Sequence, residues 1–302
     1  GDLKKERVDS LDGWRVGGVF NLNMTQTSLT NWAAGGQNSI SFNGLVSTYA
    51  NLTKGKATWD NTLDLGYGIM RQGRKDADWL KTDDKIDFMS KFGRRAFSNW
   101  YYAALLNFKT QFAPGFDYPN DSVRISKFMA PGYLLGAIGM DYKPNKYWSL
   151  FIAPVTSKNT FVLDEDLANG GAFGVMPAAI DTAGNIITPG ERFRTELGGY
   201  VRFQFSKDDF EAEILKNVTF TTKLDLFSNY LDRPQNIDVN WETLINLKVN
   251  KFISVSLNTQ LIYDHDVKIN VDNDGDGITD ATGPRTQFKE ILGVGFTYNF
   301  AR

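Results

Sequence analysis

Val218-Thr219-Phe220-Thr221-Thr222-Lys223-Leu224-Asp225-Leu226-Phe227-Ser228-Asn229-Tyr230 decides the fold. Val218, Phe220, Leu224, Leu226 and Tyr230 share one parity, and Thr219, Thr221, Lys223, Asp225 and Asn229 share the other. Alternate side chains of a strand point to opposite faces, so this segment predicts a strand with one apolar and one charged face. The next segments repeat the pattern. Ile237, Val239, Trp241, Ile245, Leu247 and Val249 alternate with Asp238, Asn240, Glu242, Asn246 and Lys248. Ile253, Val255, Leu257, Leu261 and Tyr263 alternate with Ser254, Ser256, Asn258, Gln260 and Asp264. Phe288, Leu292, Val294, Phe296, Tyr298 and Phe300 alternate with Gln287, Lys289, Gly293, Gly295, Thr297 and Asn299.

Strand length separates a soluble sandwich from a membrane barrel. Sandwich strands run to about five or six residues. These run to roughly a dozen, the length of a tilted strand that crosses a bilayer. The connections agree. Short turns at Lys54-Gly55-Lys56, Lys143-Pro144-Asn145 and Asn250-Lys251 alternate with long polar loops near 25–37, 71–84, 114–131, 156–190 and 267–286. Short periplasmic turns alternating with long outer loops is the plan of an outer-membrane barrel. The reading is all-β: a transmembrane antiparallel up-and-down β-barrel of about twelve strands. Its strands start near residues 13, 39, 57, 85, 100, 133, 147, 193, 218, 237, 252 and 287. Residues 1–12 are read as a periplasmic N-terminal segment and 13–300 as a single barrel domain. The even count puts both ends on the periplasmic side. The terminal Phe296-Thr297-Tyr298-Asn299-Phe300 resembles the signal read by barrel-assembly machinery, with Ala301-Arg302 departing from it.

Composition fits. Aromatics make up 14% of the chain and glycines number 28, as aromatic girdles and tight turns require. With 33 Lys and Arg against 35 Asp and Glu, the net charge of -2 gives no reason to expect nucleic acid. Cysteine is absent, which excludes thiol chemistry and Cys-ligated metals. The start Gly-Asp-Leu-Lys-Lys-Glu-Arg is expected of a mature chain after signal-peptide removal. Outer-membrane lipid and lipopolysaccharide are the expected surroundings.

In lipid only a closed sheet satisfies its backbone, so outward side chains must be apolar while inward ones may carry charge. Asp60, Asp64, Asp87, Lys91, Lys109, Arg194, Glu196, Arg202, Lys223, Asp225, Glu242, Lys248, Asp264 and Asp266 are expected inside. Mixed signs in so narrow a barrel predict a largely plugged, salt-bridged lumen, with a narrow solute path as the alternative. No single-sign ring suggests an ion filter.

The sharpest local motif is Asp272-Asn273-Asp274-Gly275-Asp276-Gly277-Ile278-Thr279-Asp280. Oxygens at positions one, three and five wrap a hard cation, glycine at six permits the turn, and position seven offers its carbonyl. Position twelve is Gly283 where an EF-hand has Glu, so Asp280 must close the site. The loop resembles the calcium loops of thrombospondin type-3 and dockerin repeats. That resemblance implies calcium held by Asp272, Asp274, Asp276, the Ile278 carbonyl and Asp280. Asp264 and Asp266 enter this loop and could add ligands. The bland alternative is a flexible acidic hairpin loop.

His265 is the only histidine. Its parity points it outward near the outer rim, with Phe288, Glu290 and Ile237 as neighbours and no serine at matching parity. A barrel lipase or protease is therefore poorly supported, and no catalytic residue is expected. The loop 157–190 holds Gly171-Ala172-Phe173-Gly174-Val175-Met176-Pro177, and Ile180 to Ile187 reads as a small hairpin. Its apolar residues either dock a partner or fold back as a lid. Trp32 and Trp79 read as interfacial anchors.

Three stretches together resemble one family: Gly13-Trp14-Arg15-Val16-Gly17-Gly18, Ser28-Leu29-Thr30-Asn31-Trp32-Ala33-Ala34-Gly35-Gly36, and Asn236-Ile237-Asp238-Val239-Asn240-Trp241-Glu242 running on to Leu257-Asn258-Thr259-Gln260-Leu261-Ile262-Tyr263-Asp264. The chain is similar to an uncharacterised Gram-negative outer-membrane barrel family, known only as a domain of unknown function. Such families are typical of bacteria rich in surface lipoproteins and large outer-membrane complexes. The resemblance implies the barrel and supplies no catalytic residues. The expected role is a non-enzymatic structural or accessory subunit of a larger complex with other outer-membrane proteins or surface lipoproteins. A narrow solute channel is the alternative.

Overall fold

The structure, a computed structural model, describes residues 12–30, 34, 36–74, 76–118, 120–250, 252–271 and 280–301. Twelve antiparallel strands close into one barrel: β1 (Gly13–Thr27), β2 (Ser39–Lys54), β3 (Ala57–Gln72), β4 (Leu80–Phe97), β5 (Trp100–Thr110), β6 (Gly132–Tyr142), β7 (Trp148–Phe161), β8 (Phe193–Lys207), β9 (Val218–Asn229), β10 (Ile237–Lys248), β11 (Ile253–Tyr263) and β12 (Gln287–Ala301). Each pairs with its neighbours in sequence, and β1 closes on β12 from Gly17 opposite Ala301 to Asn23 opposite Gly295. At this seam Thr297 donates to Asn21 Oδ1 at 2.9 Å, so buried hydroxyl and amide groups satisfy one another inside.

Even the 11-residue strands suffice for a membrane. Eleven residues rise about 36 Å, and a tilt near 40° leaves roughly 27 Å along the normal, close to the apolar band of such barrels. The faces are inverted relative to a soluble protein. Tyr102, Ile138, Val155, Trp241, Leu292 and Val294 are exposed, while Asp87, Lys91, Asp141, Glu196 and Arg202 are buried. The decisive segment shows it directly, since Thr219, Thr221, Lys223 and Asp225 are buried and Phe220, Leu224 and Leu226 are less so. A closed barrel dressed this way belongs in the bacterial outer membrane. Phe97, Trp100, Tyr142, Trp148 and Phe203 form a chain of ring contacts along the periplasmic rim, with centroids 4.8–6.4 Å apart. Trp79 packs on Phe42 at the outer rim at 6.0 Å, with the Arg71 guanidinium 4.9 Å from its centroid.

The observed bounds refine the expected ones. β4 starts at Leu80, not near 85, because Lys81, Thr82, Asp83 and Asp84 put polar groups on both faces and erase the alternation. β7 runs on through Lys158 and Thr160 to Phe161, so the long outer loop spans 162–192. The other outer connections run 28–38, 73–79, 111–131, 230–236 and 264–286. Lys248, expected inside, is exposed at the periplasmic end of β10. Residues 1–11 and Trp32 lie outside the described residues.

Pro154 shows how the wall absorbs a breaker. It cannot donate to the ladder, so β7 bulges there, shifting register against β6 at Gly139 and against β8 between Gly198 and Tyr200. Gly139 is needed opposite, since a Cβ there would lie 2.0 Å from the Ile152 carbonyl oxygen.

The inverted faces give the first prediction. Leu292 is 67% exposed on the outer wall, whereas Ile214 is 86% exposed in the periplasmic turn between β8 and β9. Leu292→Arg is expected to cost about 2–4 kcal/mol in reversible unfolding from lipid vesicles, because the charge enters hydrocarbon. Ile214→Arg should stay within about 0.5 kcal/mol, as surface changes do. Equal small effects would contradict a lipid-facing wall.

Candidate functional site: the lumen and its outer cap

The inward-facing charges assemble into three tiers. Nearest the periplasm, Lys91 Nζ lies 2.7 Å from Asp141, and Lys143 Nζ lies 3.2 Å from Asp60 and 3.5 Å from Asp141. Asp64 accepts from Ser47 at 2.5 Å. In the middle, Arg202 grips Asp225 through two nitrogens at 2.6 and 2.9 Å, and Tyr200 donates to the same carboxylate at 2.8 Å. Lys223 bridges Glu242 at 3.2 Å and Asp87 at 3.6 Å, and Lys85 meets Glu242 at 3.2 Å. Toward the outside, Lys158 reaches Asp238 at 2.6 Å, Asp264 at 3.0 Å and Glu196 at 3.6 Å. Arg194 joins Glu196 at 3.1 Å and Asp266 at 2.6 Å.

The outer tier corrects one expectation. Asp264 and Asp266 are engaged by Lys158 and Arg194 at the barrel rim rather than offered to the acidic loop. Asp272, Asp274, Asp276 and Ile278 lie outside the described residues, and among the described residues no three acidic or histidine side chains converge on a metal position. What is described are the flanking strands: Lys268–Val271 pairs with Ala281–Pro284, placing Val271 opposite Ala281. Asp280 is exposed beside them. His265 is placed differently from its parity, because β11 ends at Tyr263 and alternation stops there. Its ring nitrogens lie 3.4 Å from Arg233 and from the Tyr263 hydroxyl.

Parity reasoning missed an apolar patch inside the lumen. Met89, Ala103, Leu105, Ala137, Phe151, Ala153, Tyr200 and Phe227 form a buried cluster with Leu135 against it. Phe227 shares parity with Lys223 and Asp225, which was the available signal. Above this patch the lumen opens into a cavity of about 520 Å³ in its outer half. Asp87, Lys109, Asp225 and Glu242 line its floor, and none of Asp60, Lys91, Asp141 and Lys143 borders it.

Two long outer loops, 111–131 and 162–192, fold together over one side of this mouth. Ala130, Val162, Ala168 and Val175 make a small core, packed against by Leu167 and Phe173. Asp164 caps the short helix Glu165–Asn169 by accepting from the Leu167 N–H at 3.1 Å. Lys127, from the other long loop, reaches the same carboxylate at 2.8 Å. Gly174, at φ +81°, seats the loop on the rim, because a Cβ there would lie 2.4 Å from Arg194 Nη1. Thus Phe173 faces the cavity, while Met176, Ile180, Ile186 and Ile187 stay exposed. The expected small hairpin is present as Ala179–Ile180 paired with Ile186–Thr188.

Residues 24–116 match a family described as a protein of unknown function (DUF3078). The matched region runs from β1 to the strip after β5 and includes Ser28 to Gly36, one of the three stretches that suggested a barrel family. No curated protein matches the chain. Among solved structures, an outer-membrane channel from Pseudomonas putida F1 aligns over 99% of this chain and 98% of its own, at 11% identity and TM-score 0.41. The translocator domain of the autotransporter NalP from Neisseria meningitidis aligns over 97% of this chain and 90% of its own, at 10% identity and TM-score 0.31.

The cap yields a pH prediction. Burial alone would raise the Asp164 carboxyl, but the bonds from Lys127 and the Leu167 N–H, with the charges of Lys127 and Arg124, outweigh it and hold it below its ordinary value. A depressed carboxylate stabilises fully above its unfolded pKa, about 3.9, and loses that contribution only as pH falls through the lower folded value. Hydrogen exchange over 162–178, corrected for intrinsic rates, should therefore match at pH 7 and pH 5. Asp164→Ala removes a cap worth about 1 kcal/mol and should speed exchange there roughly fivefold or more at both pH values. Equal protection in the variant would refute the cap's role.

Proposed function

We propose that this barrel is a non-enzymatic structural or accessory subunit of a larger outer-membrane complex, surrounded by lipid and lipopolysaccharide. One observation carries the reading: the cap over 162–192 has its own buried core, yet keeps Met176, Ile180, Ile186 and Ile187 exposed on the outer side. A flexible loop would hide such residues or move; a braced platform presents them. Contiguous exposed apolar residues on an ordered surface mark a protein contact. Other outer-membrane proteins or surface lipoproteins are the partners in this reading. The ion-paired periplasmic tier supports it by filling the narrow half of the lumen.

The outward-opening cavity favours a second reading, a narrow solute channel. Extraction in mild detergent, followed by mass measurement, tests the first. A complex of defined stoichiometry, lost in Ile180→Asp/Ile187→Asp, is expected, together with silence in planar bilayers. A lone barrel of 33.9 kDa with stepwise conductance would replace the subunit by the channel.

The proposal includes calcium in the loop 272–280, held by Asp272, Asp274, Asp276, Asp280 and the Ile278 carbonyl. The spacing of oxygen ligands supports it, as does the pairing of the flanking strands that brings the loop's ends together. Crowded carboxylates repel unless a cation neutralises them. Calorimetry should show calcium binding that disappears in Asp274→Ala/Asp276→Ala. Equal affinity in the two proteins would sink the site.

A further inference from the structure

We propose that the outer cavity is a binding cup for a short apolar peptide with free amino and carboxyl ends. This goes beyond the accessory role, and the cup's occupancy does not depend on what the barrel assembles with. Three features define the ligand: a basic anchor at the floor, an acidic excess at the mouth, and an apolar wall between them.

Lys109 is the floor anchor. Its ammonium lies 3.9 Å from Asp87 and 3.9 Å from Asp225, beyond hydrogen-bond distance of both. Those carboxylates are held elsewhere: Asp225 by Arg202 and Tyr200, and Asp87 by Asn107 at 2.7 Å and Lys223 at 3.6 Å. The Lys109 side chain is 26% exposed and borders the cavity, so its three donors are available to an entering carboxylate. The surrounding floor is not acidic: Lys85, Lys109, Lys223 and Arg202 stand against Asp87, Asp225 and Glu242.

At the mouth the balance reverses. Glu196, Asp238, Asp264 and Asp266 share Lys158 and Arg194, which leaves two carboxylates in excess among the described residues of that cluster. Asp238 and Asp264 themselves border the cavity. An ammonium there would offset one of these two charges in a partly desolvated site, where an excess of like charge is costly. Asp238 stands opposite Phe227, two residues outward of Asp225 on β9. Two residues of strand rise about 7 Å, an offset that matches the span of a dipeptide better than that of a single amino acid.

Between the two poles run Tyr133, Leu135 and Phe227, which turn apolar surface into the cavity and continue the apolar patch of the lumen. Phe173 closes over them from the cap. It holds φ +57°, a left-handed conformation that is strained for a bulky residue and persists only where its surroundings impose it. The strain places an apolar ring over the cavity, where it covers an apolar occupant. The volume of about 520 Å³ lies within the range of small-ligand pockets.

The test uses the full chain in detergent and the dipeptide phenylalanyl-leucine, followed by calorimetry. Saturable binding at one site is expected. Acetylating the amino end or amidating the carboxyl end should each weaken it at least tenfold. Lys109→Met should abolish the preference for a free carboxyl end while keeping the preference for a free amino end. Phe173→Ala, which lies in the cap outside the barrel wall, should weaken all of these peptides several-fold and gives a readout should Lys109→Met fail to insert. Absence of saturable binding, or equal affinity for free and blocked peptides, would overturn the proposal.

Discussion

Every other feature follows from the closure of β1 on β12. In hydrocarbon an unpaired backbone group costs several kcal/mol, so a sheet survives there only without edges. The seam from Gly17–Ala301 to Asn23–Gly295 removes the last edge. Once the sheet is closed, each strand has a lipid face and a lumen face, and the sequence has no freedom to mix them. That is why Leu292 and Val294 sit outside while Thr297 and Asn21 bond inside. Even Pro154 is accommodated by a bulge in the wall instead of ending a strand.

The same closure sets the energetics of the lumen. Buried charges are costly unless paired and hydrogen-bonded, and the narrow interior forces partners together. Lys91 with Asp141, and Lys85 with Glu242, are examples drawn from strands far apart in sequence. Such pairs are weak evidence for stability, since an apolar pair of equal volume does as well. Their consequence is geometric: they fill the periplasmic half of the lumen with fixed side chains. The apolar patch around Phe151, Tyr200 and Phe227 packs the wall beside them, and the free volume is left in the outer half.

Much of this was legible in the sequence, and what was not has a physical cause. Period two fixes the facing of Lys223 and Leu224 because lipid tolerates one of them and not the other. Eleven of the twelve expected strand starts agree with the structure to within one residue, or coincide with it, wherever the outer end keeps that contrast. At Lys81 to Asp84 both faces clear the membrane and the contrast vanishes, so alternation becomes readable only near residue 85. Lys158 was lost to a loop for the same reason. Partners were beyond reach. Nothing local says that Lys91 meets Asp141, because inclination of the strands decides which inward side chains share a level. Phe227 carried the right parity but the wrong chemistry for a rule that expected polar groups inside. The acidic motif 272–280 was legible as chemistry, while Asp272, Asp274, Asp276 and Ile278 lie outside the described residues.

The cap joins the outer cavity to the exposed apolar surface. Phe173 lies between Gly171 and Val175, and Ile180 follows a few residues later in the same loop. The inner side of this unit borders the cavity, and its outer side carries the exposed apolar residues. Its attachment to the barrel passes through Gly174, which rests on Arg194, whose partner Asp266 begins the segment leading to the acidic loop. A ligand touching Phe173 and a protein touching Ile180 would thus act on one braced body. By thermodynamic linkage, any change that one imposes on the cap alters the affinity of the other by the same factor. A loop without a core of its own could not transmit such a change, because its motions would average the contact away. Val162, Ala168 and Val175, buried together, are what give the cap that rigidity.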